Sequence, residues 1–306
     1  MGEGDRQGGM SRASTPSGIA PQSALHPPHP IRRPAIFHAH SLLFVPGSRP
    51  DRVAKAAASD ADAVCIDLED AVGEGDKDAA RANAMAALAT LDRPRLALRI
   101  NGLRSPHAAR DLVALADAPR RPAAVFVPMC ESAAEAAVVR GALPGVTVCP
   151  LIETVAGLTA AHAIAAADGV GAVMLGGADL SAQLGVELAW EPLLVARAQV
   201  VIACAGAGVP AIDAPFLSLT EPERLAEESR RARALGFAGK AAIHPDQLAP
   251  IHAGFRPSEA ELARATEALA AYDATGGEAM RHAGRMLEAP IVRRYRRLLG
   301  RETGDA

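Results

Sequence analysis

The 306-residue sequence predicts an α/β protein of the TIM-barrel class, a (β/α)8 barrel with a C-terminal helical appendage. Three observations lead there. Eight short apolar runs recur along the chain, Ala-rich stretches of helical period separate them, and charged residues collect at the C-terminal ends of the runs, where such barrels keep their chemistry.

Residues 1–39 hold many Gly, Ser, Pro and His without periodicity, as in SALHPPHP at 23–30. Such a composition buries too little apolar surface to offset its ordering entropy, so it reads as a disordered leader. The runs then follow at 41–46 (SLLFVP), 63–68 (AVCIDL), 95–101 (RLALRIN), 123–128 (AAVFVP), 146–152 (VTVCPLI), 170–176 (VGAVMLG), 208–213 (GVPAID) and 237–243 (FAGKAAI). Each is rich in Val, Ile, Leu or Ala and mostly unalternating, the mark of a parallel strand covered on both faces. Helices are expected near 51–59, 77–91, 107–116, 132–140, 154–167, 190–205 and 221–235, with another after the eighth strand. Eightfold strand-helix repetition over about 210 residues favours a closed barrel over a doubly wound sheet. Beyond it, 258–273 and 284–299 read as two helices joined by a flexible Ala274-Thr275-Gly276-Gly277. The expected organisation is a leader at 1–39, a catalytic barrel at 40–255 and a helical lid at 256–306.

A 49% hydrophobic content supports a large core. A net charge of −3 with scattered Lys and Arg leaves no footprint for nucleic acid, and Arg293-Arg294-Tyr295-Arg296-Arg297 reads as a solvated helix face. Cys65, Cys130, Cys149 and Cys204 lie in apolar runs without metal or redox spacing, as small buried hydrophobes of a cytoplasmic protein would. The most apolar stretch, 160–177, is interrupted by His162 and Asp168, and the first 40 residues lack a signal core; no membrane segment is expected.

The ends of the runs bring Pro46-Gly47-Ser48-Arg49, Asp67 with Glu69 and Asp70, Arg99 with Asn101, Pro128, Glu153, Asp179, Asp213 and His244 to one expected rim. Carboxylates crowded there repel one another and raise their pKa values unless a cation neutralises them. Glu153 and Asp179 end the adjacent fifth and sixth strands. Two carboxylates with positions left for water and substrate suit Mg2+. An equally strong local reading makes Asp179 an N-cap for a turn at 180–184 and Glu153 a first-turn acid. Arg99 lies within a strand, where a buried guanidinium needs an anion; that anion is either a substrate carboxylate or a structural partner such as Glu69 or Asp70. Asp67, Glu69 and Asp70 can ligate, accept hydrogen bonds from water, or hold arginines in place.

The motifs SLLFVPGSRPDRVAKA (41–56), DAVCIDLEDAV (62–72), LRIN (98–101), PLIET (150–154), LGGADLSAQLG (175–185) and GKAAIHPDQL (239–248) occur in order over nearly everything outside the leader. Together the chain resembles the citrate lyase β-subunit-like CoA ester lyases of the HpcH/HpaI aldolase superfamily. The resemblance implies a Mg2+-dependent barrel, with Mn2+ as a substitute, that cleaves or forms a carbon-carbon bond between an acyl-CoA and a small 2-oxo acid, in the manner of citryl-, malyl- or citramalyl-CoA lyases. It implies Glu153 and Asp179 as metal ligands, with Glu153 also lining the substrate site. Arg99 would hold the oxo-acid carboxylate, Arg49 and Lys55 the CoA phosphates, and Glu69 and Asp70 would order water and Arg99. The implied assembly is a homotrimer or homohexamer.

Two positions depart from the family pattern. His40 stands where an arginine usually precedes the first strand's serine, which implies a missing or pH-dependent anion contact at the pocket floor. Glu288, in Gly284-Arg285-Met286-Leu287-Glu288-Ala289-Pro290, replaces an aspartate that acts as acid/base in a neighbouring subunit's site. Its extra methylene moves the carboxylate by roughly 1.5 Å, and displacement on the order of 1 Å can cost about a hundredfold in rate. The lyase reading therefore stands beside two others: a malyl-CoA-type thioesterase, and a subunit that binds metal and acyl-CoA or oxo acid without turnover. An aldolase acting on CoA-free sugar acids is more remote, because it leaves Ser48-Arg49 to Lys55 without a purpose.

Overall fold

The computed structural model describes residues 1–2, 39–91 and 95–300, so the expected leader lies almost wholly outside the described residues. From Ala39 onward these residues fall within one compact unit. In chain order the elements are β1 (Ser41–Pro46), α1 (Pro50–Ala57), β2 (Ala63–Asp67), α2 (Lys77–Thr90), β3 (Leu96–Arg99), α3 (Pro106–Asp117), β4 (Ala124–Val127), α4 (Ala133–Ala142) and β5 (Thr147–Ile152). There follow α5 (Val155–Thr159), α6 (Ala161–Ala165), β6 (Val173–Leu175), α7 (Gly177–Leu184), α8 (Leu194–Ala207), β7 (Ala211–Asp213), α9 (Pro222–Leu235), β8 (Gly239–Ala242) and α10 (Leu248–Phe255). The chain continues through α11 (Glu259–Ala274), β9 (Met280–His282), β10 (Arg285–Leu287) and α12 (Ala289–Leu298). Strands β1 to β8 close in sequential order into a parallel barrel, with β8 pairing back on β1.

Strand period sorts the side chains into two layers. Leu42 and Phe44, Ala63 and Cys65, Ala97, Ala124 and Phe126, Cys149 and Leu151, Ala172 and Met174, Ile212, and Ala241 form one cluster, the barrel interior. Leu43, Val45, Val64, Ile66, Leu98, Val125, Val148, Val173, Ala211 and Ala242 belong instead to the layer packed against the helices. Seven of these interior positions are Ala or Cys, and two phenylalanines, Phe44 and Phe126, cross edge to face at 5.9 Å among them. All four cysteines are free and buried.

Four expectations are corrected. The helix expected at 154–167 is two pieces broken at Ala160. Thr159 Oγ1 donates to Val155 O at 2.8 Å, a side-chain bond that competes with helix continuation. The helix expected at 284–299 begins only at Ala289, because Ala283 (φ 46°) and Gly284 (φ 79°) form a tight hairpin turn and commit residues 285–287 to β10, paired with β9. The supposed flexible joint at 274–277 is a hydrogen-bonded turn in which Thr275 Oγ1 donates to Tyr272 O and Glu278 O. Finally, Asp179 is not an N-cap: Gly176 caps α7 and Asp179 lies in its first turn.

The C-terminal elements have their own apolar centre, in which Leu287 and Val292 pack on Ala268, Leu269 and Tyr272. Arg233 of α9 and Glu261 of α11 form an ion pair at 2.6 Å. Among the described residues no helix is long and apolar enough to cross a membrane.

Candidate active site at the barrel mouth

The interior parity of three strands continues upward into charge. Asp67 follows Ala63 and Cys65, Arg99 follows Ala97, and Glu153 follows Cys149 and Leu151, so each projects into the C-terminal mouth above the apolar interior. Asp67 and Arg99 are register partners across β2 and β3. Arg99 Nε and Nη2 donate to Asp67 Oδ1 and Oδ2, both at 2.6 Å, as a two-pronged pair. The guanidinium also lies 5.4 Å from the Phe44 ring centre, and its Nη1 is 2.9 Å from Glu69 Oε2 and 3.4 Å from Asp70 Oδ2. Burial opposes its charge, but Asp67, with Glu69 and Asp70, outweighs that and holds the arginine above its ordinary pKa.

Asp67 is buried, and its oxygens also accept from the backbone N–H groups of Glu69 (2.9 Å) and Ala71 (3.1 Å), so it fixes the β2–α2 loop as well as Arg99. Gly47 N–H donates to Asp67 O at 2.8 Å, joining the β1 loop to the same corner. Lys77, at the start of α2, donates to Leu68 O (2.9 Å) and Glu69 O (2.7 Å). This buried lysine went unnoticed in the sequence, where it reads as an ordinary first-turn residue. Glu69 is pushed up to about 7, chiefly by burial, with Arg99 pulling down and Asp70 and Asp67 adding to the rise.

Glu153 is 2% exposed, and its Oε1 is buried without a hydrogen-bond partner. Its carboxyl is pushed up to about 9, first by burial and next by hydrogen bonding with Asp179. Gly176 makes this possible, since a Cβ at that position would collide with the Glu153 side chain. Asp179 itself is exposed. Among the described residues no group of three or more His, Cys, Asp or Glu side chains forms a cage for a metal. Glu153 and Asp179 nevertheless fit a hard divalent cation: two facing carboxylates, one with an unsatisfied buried oxygen, constitute an oxygen donor set that a cation would complete.

The other expected residues fall elsewhere. Arg49 is exposed at the β1 end and paired with Asp51 at 2.9 Å, and Lys55 is exposed in the last turn of α1. Glu288 is the exposed N-cap residue of α12, without a side-chain cap bond. His244 caps a short turn beside Asp246. Two expectations fail. Asp213 does not face the mouth; it follows Ala211 into the helix layer, where Lys240 Nζ (2.6 Å) and Arg197 Nε (2.9 Å) donate to it. His40 is not at a pocket floor, because it precedes β1 at the N-terminal end of the barrel. There its Nδ1 lies 3.1 Å from Ala238 O and its ring stacks on Phe255.

A closed parallel barrel whose interior positions turn into convergent carboxylates and one anchored arginine at the C-terminal mouth defines an enzyme barrel. The chain belongs to the HpcH/HpaI aldolase/citrate lyase family, whose model matches residues 40–245. The L-malyl-CoA/β-methylmalyl-CoA lyase of Cereibacter sphaeroides is 34% identical over 305 residues, spanning 88% of this chain and 94% of that protein. A citrate lyase subunit beta-like protein of Mycobacterium tuberculosis is 38% identical over 271 residues, 86% and 95% of the two chains. Among solved structures, CitE from Mycobacterium tuberculosis in complex with magnesium, acetoacetate and coenzyme A superposes with a TM-score of 0.77 at 36% identity, covering 85% of this chain and 97% of that one.

Proposed function

We propose that this protein is a Mg2+-dependent CoA ester lyase that cleaves or forms a carbon-carbon bond between an acyl-CoA and a small 2-oxo acid. The observation that carries the reading is the mouth itself: Glu153, with an unpartnered buried oxygen beside Asp179, stands near an arginine already oriented by Asp67. The lyase names of its relatives, and the magnesium, oxo-acid and coenzyme A ligands of the Mycobacterium tuberculosis CitE structures, support it.

In this reading Glu153 and Asp179 hold Mg2+, which when bound supplies Lewis-acid stabilisation of negative charge developing on the substrate's hydroxyl oxygen. Arg99 uses its Nε–Nη2 edge on Asp67 and keeps Nη1 directed toward Glu69 and Asp70, so a substrate carboxylate is received at the Nη1 end. A base takes the hydroxyl proton and the bond between the carbinol carbon and the acyl α-carbon breaks. Its electron pair leaves with the acyl-CoA as an enolate, which then takes a proton at carbon, and the carbinol carbon becomes the oxo group. Glu69 and Asp70 order the mouth, Arg49 and Lys55 meet the CoA phosphates, and Glu288 of a neighbouring subunit is the base. The catalytic barrel spans 40–255, the lid 256–306, and the assembly is a homotrimer or homohexamer. The exposed presentation of Glu288 on the C-terminal unit supports action on a neighbour.

The test is a panel of citryl-, malyl-, methylmalyl- and citramalyl-CoA with Mg2+ and then with EDTA, scored for oxaloacetate, glyoxylate, pyruvate and free thiol. A lyase releases an oxo acid without free thiol and stops with EDTA. Free thiol with the hydroxy acid instead would make the protein a thioesterase, and no product from any of the four would overturn the catalytic reading.

A further inference from the structure

The C-terminal unit carries a second cleft that the proposed chemistry does not use. α11, the β9–β10 hairpin and α12 surround a cavity of about 430 Å3, within the range of small-molecule sites. Arg264 projects from α11, Arg285 from the hairpin and Arg294 from α12, with His282 and Tyr295 beside them; Glu267 is the one acid among the lining residues. The three arginines are exposed and, among the described residues, none of them joins an ion pair, whereas neighbouring Arg296 lies 3.4 Å from Asp273. Arg285 and His282 are register partners in the hairpin, and the two left-handed residues of its turn fix both at the cleft edge. The wall of the cleft is apolar, formed by the exposed Met286 and the half-buried Ile291.

Three unpaired guanidinium groups against one carboxylate repel one another, and an anion with several acceptor oxygens relieves that repulsion through charge-assisted bonds. An apolar wall with an aromatic ring beside the cations suits a flat heterocycle attached to those oxygens. We propose that this cleft binds the phosphate groups and base of a nucleotide, at a site separate from the mouth of its own barrel. The phosphates sit between Arg264, Arg285 and Arg294, and the base lies against Tyr295 and Ile291.

The test is calorimetric titration of the full-length protein with ADP, in EDTA to keep metal out of the comparison. Expected are one ADP per chain, much weaker binding of adenosine, and a tenfold or greater loss of affinity in Arg285→Ser and in Arg294→Ser. Glu267→Gln should act in the opposite direction and tighten binding severalfold, which a general folding defect cannot do. Binding should persist in excess acetyl-CoA. Absence of ADP binding, equal affinity in the arginine variants, or displacement of ADP by acetyl-CoA would each overturn the proposal. Loss of oligomeric mass in the arginine variants without ADP binding would do so too, marking the cleft as a contact between copies. None of these outcomes bears on the oxo-acid release that decides the lyase reading.

Discussion

Arg99 is held in one orientation by its neighbours at the barrel mouth. Two 2.6 Å bonds to Asp67 and the Phe44 face beneath it remove its rotational freedom before any substrate arrives. Arg99→Lys keeps the charge but loses the fork, so it should lower kcat/KM by about 10- to 1000-fold; unchanged kinetics would make Arg99 part of the scaffold. Asp67→Asn should copy much of that loss while leaving Mg2+ affinity intact, since Asp67 acts through the arginine. A parallel loss of Mg2+ binding would assign Asp67 to the cation instead. The candidates Arg99, Glu153 and Asp179 were readable because each ends an apolar run. Glu69 and Asp70, the structural partners the sequence offered, do lie within ion-pair distance of Arg99, but its two-pronged partner Asp67 was not legible, because the three acids are equivalent as letters and only the Asp67–Arg99 register across two strands selects one.

At the scale of elements, the C-terminal half of the barrel is clamped from outside. Lys240 of β8 is fully buried and donates to Asp213 Oδ2 (2.6 Å), Ala214 O (2.6 Å) and Glu228 Oε1 (2.7 Å), while Arg197 of α8 completes the network over the Trp190 ring at 4.5 Å. Gln247 adds a bond from its Nε2 to Phe216 O at 2.7 Å, so the loop after β7 is tied at two points. Lys240→Met leaves buried carboxylates unmatched and should cost about 3–5 kcal/mol in urea unfolding. A cost below about 1 kcal/mol would mean that water already satisfies the cluster. Burial works to raise the Asp213 pKa, but Lys240 and Arg197 together hold it below its ordinary value. Its contribution to stability is therefore complete above about pH 4 and is lost as the pH falls through the depressed native value. In Lys240→Met, where only Arg197 still holds Asp213 down against burial, the stability lost between neutral pH and acid should be smaller than in the wild type, and equal losses in the two proteins would contradict the assignment. The strands themselves were legible, because parallel strands buried on both faces are continuous apolar text. The inward or outward choice of Asp213 was not, since in a run of six one residue of register reverses every side chain. The hairpin at 280–287 was hidden for a different reason: its turn begins at Ala283, a residue that rarely adopts positive φ.

At the scale of the whole molecule, the proposed reading takes cation ligands and an anion clamp from the barrel and the exposed Glu288 from the C-terminal unit. If that carboxylate serves a neighbouring mouth, Glu288→Gln should retain Mg2+ binding and lose about 100-fold or more in kcat. Mixing it with Arg99→Ala protomers should then restore part of the activity; a monomer by light scattering, or no recovery in the mixture, would refute a shared site. The central claim is narrower and can be reached directly by measuring Mg2+ binding and oxo-acid release together in the wild type, Glu153→Ala and Asp179→Ala. The account predicts Mg2+-dependent release by the wild type, and loss of both Mg2+ binding and release in each variant with the fold intact. Wild-type Mg2+ affinity and turnover in either folded variant would contradict it.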